Sequence, residues 1–169
     1  MNNIYIRNFF LISFLSILLS RLIPHPPNFT STIAIAFYLP ALFGIKYVIV
    51  ALAAFFISDL IIGVHELLIF TWGSIILIGF ISKYFSKFHY RILGAIISCL
   101  IFYLFSNFGV WLISGIYSKD IIGLYNCYVM GIPFLQNSLI GSLLISLLIE
   151  YIITLNIPKK YIKKINSSF

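Results

Sequence analysis

R-L-I-P-H-P-P-N-F, running from Arg21 to Phe29, is the first interruption in an otherwise apolar chain. Its prolines each remove a backbone donor and fix φ, so this stretch is no helix interior. Apolar runs flank it, F-F-L-I-S-F-L-S-I-L-L-S before and T-I-A-I-A-F-Y-L-P-A-L-F after. A rigid polar connector between two apolar helices is either a plain turn or one wall of a binding site. The rest of the chain has to decide which.

The composition sets the solvent. Of the 169 residues, 62% are hydrophobic and 9% are charged, where a soluble domain carries about a quarter charged residues. Too few polar side chains remain to cover a water-facing surface, so the chain belongs in a lipid bilayer. The length suits about five or six spans with short connections and leaves no room for a second, soluble domain. The net charge of +7 sits at span ends and in the tail. That pattern reads as membrane orientation, with no nucleic-acid surface. Cys99 and Cys127 fall in different segments and read as buried thiols. Arg7 and the apolar run after it resemble a signal peptide, but no small-x-small cleavage site follows, so the run is read as a retained first span.

The expected fold is an all-α membrane protein, a single domain of about six transmembrane helices with both termini cytoplasmic. Spans are expected at about 5–23, 29–43, 46–62, 67–82, 92–113 and 134–153, with a basic cytoplasmic tail at 154–169. The second is short. Pro40 and Gly44 close it, so it is expected to lie partly inside the bundle or to be thin and tilted. The fifth covers about 33 Å at 1.5 Å per residue, enough to cross alone. Between the fifth and sixth spans, Ser114 to Pro133 is too broken by glycines to read as a span and too apolar to float in water. It is expected to be an interfacial or re-entrant segment. On this topology nine of the eleven basic residues fall inside, and only Arg21 and Lys119 fall outside, as the positive-inside rule requires.

The polar residues then converge on one end. Arg21, His25 and Asn28 lie in the first outer connector or beside it. Asp59 ends span three, His65 and Glu66 follow in the next connector, and Trp72 lies near the start of span four. Asn107 and Trp111 share one face of span five at i,i+4 spacing, and Asn137 opens span six. Isolated polar groups in hydrocarbon persist where they find partners or line a cavity. One outward-facing pocket accounts for all of them, with Tyr125 from the broken segment added to its lining. Plainer roles stand beside that reading. Arg21 can snorkel to the headgroups, pair with Asp59, or meet a charged ligand. The tryptophans can belong to an interfacial belt, and Asn28 can cap a helix. Ser16 and Ser20, a small-x-x-x-small pair, and Ala34 and Ala36 permit close helix approach.

Enzyme signals are weak. His25, His65 and Glu66 match no helical metal-ligand spacing, so neither metal nor cofactor is expected. No serine stands in a nucleophile elbow and no phosphate loop appears. Transport by this chain would draw its energy from a partner or an ion gradient.

Several stretches together carry a family resemblance: Arg21 to Phe29, Ala34 to Ala36, S-D-L-I-I-G-V-H from Ser58, N-F-G-V-W from Asn107, and G-L-Y-N-C-Y-V-M-G-I-P-F from Gly123, followed by Asn137 and Gly141. With these the chain resembles uncharacterised bacterial membrane proteins related to the substrate-binding S components of energy-coupling-factor (ECF) transporters. It departs at Ser142, where the pattern has an acidic residue. The resemblance implies a six-helix subunit of the bacterial cytoplasmic membrane that captures a vitamin-like small molecule outside. It further implies docking on a transmembrane coupling subunit driven by two ATPases, with Ser16, Ser20, Ala34 and Ala36 facing that partner. The alternative is a small membrane scaffold with no transported ligand.

Overall fold

The computed structural model describes residues 3–85 and 87–156. The tail lysines expected to mark the cytoplasmic side lie outside the described residues. Six α-helices, and no strand, are formed among those described: α1 Asn3–Leu22, α2 Thr32–Phe43, α3 Val48–Ile62, α4 Leu68–Ser82, α5 Phe88–Ile113 and α6 Ile121–Asn156. Single 3-10 turns precede α3 and follow α4.

Helix α2 is the axis. From Thr32 to Leu42 every residue is buried. It packs against all five other helices, which follow one another around it in the order α1, α3, α4, α5, α6. The sequence explains this placement. A helix that is apolar all round has no face to give to water. At twelve residues it is about 18 Å long and cannot cross the hydrocarbon by itself. The short second span therefore lies inside the bundle.

Among the described residues, four helical stretches are long and apolar enough to cross a membrane: Ile45–Ile62, Leu68–Phe85, Tyr90–Ile113 and Ile121–Leu155. Their outer faces carry exposed Leu60, Ile61, Ile69, Leu147 and Tyr151, a surface that suits lipid rather than water. These features mark an integral membrane protein. Helices α2 and α3 each stop at a glycine with positive φ, Gly44 and Gly63, whose N–H bonds back to Pro40 and Asp59 carbonyls.

The region after α5 differs from expectation. Only residues 114–120 are non-helical. From Ile121 the chain is one continuous helix of 36 residues with Pro133 inside it, so the sixth span does not begin at 134 and no re-entrant break precedes it. The glycines there serve packing. A Cβ on Gly123 would overlap the Ser118 carbonyl, and one on Gly131 would overlap the Asn107 side chain. Asp120 caps the helix, its Oδ1 accepting from the Gly123 N–H at 2.6 Å and from the Ser118 hydroxyl at 2.8 Å. These bonds, the Gly123 amide first, hold its carboxyl below the usual aspartate range.

Candidate functional site

The residues expected to line one pocket divide into two groups at the same end of the bundle. The first is an ion-paired network. Arg21, at the end of α1, reaches onto α3. Its Nη2 donates to Asp59 Oδ1 at 2.6 Å, and its Nη1 donates to Ser58 Oγ at 2.7 Å and to the Phe55 carbonyl at 3.2 Å. The guanidinium also stands 3.8 Å from the centre of the Phe55 ring. Trp72 donates its Nε1–H to the other Asp59 oxygen at 2.8 Å. His65 Nε2 lies 4.0 Å from Asp59 Oδ1. Asp59 is buried, and a buried carboxylate persists only where such partners neutralise it. Of the roles open to Arg21, the structure shows the pair with Asp59.

The second group borders a cavity of about 370 Å³. Helix α5 supplies Phe102, Ser106, Asn107 and Val110, and α6 supplies Cys127, Met130, Gly131 and Phe134. Both sets follow the three- and four-residue spacing of one helix face. Thr71 and Leu67 close the α4 side, Pro27 and Asn28 the loop side, and Tyr117 and Ile116 the connector before α6. Asn107 is one of the polar lining residues. Its Nδ2 donates to the Tyr103 carbonyl one turn back at 2.8 Å, while its Oδ1 lies over Gly131. The Cys127 thiol donates to the Asn107 backbone carbonyl at 3.2 Å. The hydroxyls of Thr71 and Ser106 are spent on their own helices.

The loop wall is held from behind. Asn28 takes a left-handed conformation, φ 64°, which asparagine tolerates better than most residues. Phe29 N–H bonds the Pro26 carbonyl at 2.9 Å. Asn137 donates to the Pro27 carbonyl at 2.9 Å, and Gly141, one turn further along α6, packs against the backbone of Phe29 and Thr30. The stretch from Arg21 to Phe29 thus contributes to both groups, Arg21 to the network and Pro27 and Asn28 to the cavity.

The remaining candidates stand apart. His25 bonds the Ile23 carbonyl through Nδ1 at 2.6 Å. Trp111 donates to the Ser118 carbonyl at 2.9 Å, and the Lys119 ammonium bonds the Trp111 carbonyl. Both bonds brace the connector. Tyr125 is exposed and off the lining. The residues assigned to a partner helix make contacts within this chain. Ser16 and Ser20 both bond the Ser31 hydroxyl, at 3.1 and 3.0 Å. Ala34 and Ala36 are wholly buried, so they present no surface to another protein. Among the described residues no three of His, Cys, Asp or Glu gather as metal ligands would.

A second polar centre, which sequence reasoning left unpaired, lies at the far end. Arg91 on α5 meets Glu150 on α6 in a two-pronged pair, Nε to Oε1 at 2.6 Å and Nη2 to Oε2 at 2.9 Å. Tyr38 of α2 donates to the same Oε1 at 3.0 Å. The signal was present in principle, since two opposite charges standing alone in apolar runs seek each other in hydrocarbon.

A profile described as "Family of unknown function (DUF6580)" matches residues 2–163. The chain belongs to this family. The match covers α1 to α6, and with them the cavity, the network and the Arg91 centre. No curated protein and no solved structure matches the chain.

Proposed function

We propose that this protein is the substrate-binding membrane subunit of a vitamin or small-metabolite importer, capturing its ligand in the cavity between α4, α5 and α6. The observation that carries the proposal is the cavity, with Asn107 among its lining residues. It lies in the size range of small-molecule sites, roughly 300 to 1,000 Å³. It occupies the end of the bundle where the positive-inside count puts the exterior, with the termini in the cytoplasm of a bacterial cell. The resemblance to ECF S components supports the same reading. In it, a coupling subunit and two ATPases supply the energy. Their docking face lies on the outer surface of the helices around α2, since Ala34 and Ala36 are inside.

The test is thermal unfolding of the purified, detergent-solubilised chain against a panel of vitamins and nucleobases. One member should raise the midpoint, and Asn107→Ala should abolish the rise while leaving the unliganded protein folded. A flat response across the panel from well-folded protein would refute ligand capture.

A further inference from the structure

We infer that the part of the ligand seated in this cavity is uncharged, apolar over most of its surface, and carries an N–H or O–H donor. The inference rests on the binding reading above and specifies the substrate class. No Asp, Glu, His, Lys or Arg is among the cavity's lining residues. The charged groups at this end of the bundle lie off the cavity lining. Arg21 and Asp59 neutralise each other behind α3 and α4. Lys119 bonds the Trp111 carbonyl, and Asp120 caps α6. Glu66 is exposed on its connector, and neither it nor His65 is a lining residue. An anion or cation entering the cavity would shed water and meet no countercharge, and burying a charge unpaired is strongly unfavourable. Phe102, Phe134 and Met130 instead offer ring and thioether surface, which suits a flat, ring-bearing molecule.

The polar groups sharpen the class. One N–H of the Asn107 amide is given to the Tyr103 carbonyl, and no bond within the described residues uses its Oδ1. A ligand therefore meets an acceptor on the α5 wall. A neutral amide, lactam or hydroxyl supplies the matching donor, whereas a carboxylate presents only lone pairs to it.

Matched pairs that differ in the charge on the ring test this directly: nicotinamide against nicotinate, pterin against pterin-6-carboxylate, and 4-aminobenzamide against 4-aminobenzoate. Equilibrium binding to the full chain in nanodiscs is the measurement. Neutral members should bind and their carboxylates should bind roughly 100-fold more weakly or not at all. Asn107→Leu, which removes the acceptor at similar volume, should weaken the bound neutral member about 10-fold. Intrinsic tryptophan fluorescence would verify that this variant is folded. Tighter binding of a carboxylate would overturn the uncharged-ligand inference and leave the capture reading standing. Neutral binding that Asn107→Leu leaves unchanged would overturn the donor assignment. No binding by any member, with folded protein, would overturn both.

Discussion

The two ion-paired arginines are built alike and placed at opposite ends. Arg21, Asp59 and Trp72 join α1, α3 and α4, and Arg91, Glu150 and Tyr38 join α5, α6 and α2. Each of the six helices contributes one residue to one of the two triads. The difference lies in sealing. The Arg91 side chain is 2% exposed and that of Arg21 is 13% exposed. Arg91 grips its carboxylate with two prongs, whereas Arg21 spends one nitrogen on Asp59 and the other on Ser58 and the Phe55 carbonyl. A sealed, two-pronged pair acts as a lock between helices. A pair with a second set of acceptors and some access to polar surroundings tolerates the loss of one partner. Both triads tie helices of the bundle together, and neither contributes a residue to the cavity lining.

The largest expected effect comes from breaking the sealed pair. Glu150→Gln removes the carboxylate that faces the Arg91 guanidinium in the core, and unfolding in detergent should show a loss of about 3 to 5 kcal/mol. Asp59→Asn should cost less, about 1 to 3 kcal/mol, because Ser58 and the Phe55 carbonyl still hold Arg21. Trp72 emission should shift as its indole N–H loses the carboxylate. Equal losses in the two variants would refute the distinction between the triads.

A smaller effect separates the cavity from both. Gly131→Ala forces a methyl against Asn107 and should lower stability by about 1 to 3 kcal/mol while also abolishing ligand response. Asn107→Ala should abolish the same response with a stability change under about 1 kcal/mol. Trp111→Ala should leave the cavity's affinity close to wild type, since that indole braces the connector.

The smallest expected effect is acid sensitivity at the start of α6. Asp120 has its carboxyl held low in the folded protein, so it contributes stability above the ordinary aspartate range, and that contribution fades as pH falls through the folded value. Asp120→Asn should flatten the acid limb of a stability–pH profile. An unchanged limb would assign the acid sensitivity to other groups.

Much of this was legible in the sequence, for identifiable reasons. The enclosure of α2 followed from its shortness and all-round apolarity. Asn107 stood out because an amide inside a long apolar run needs a reason. The split between network and cavity was hidden, because sequence position gives the end of the bundle but not the side of a helix that faces a neighbour. The pair of Arg91 and Glu150 spans 59 residues and leaves no periodic trace. Residues 121–133 were misread because a glycine that breaks a helix and one that lets two helices touch look identical in one dimension. The pairing of Gly131 with Asn107 distinguishes them only in space.

The enclosure of α2 also bears on how the protein is made. Translocation machinery hands segments to lipid one by one when each is long enough to be stable there. At twelve residues and about 18 Å, α2 is too short to rest in lipid by itself. It must wait beside neighbouring segments until α5 and α6 have emerged to complete its wall and to bring Glu150 to Tyr38. Biogenesis therefore has a built-in order. The central helix is among the first synthesised and the last to reach its final environment, and until then the nascent chain depends on whatever shields it.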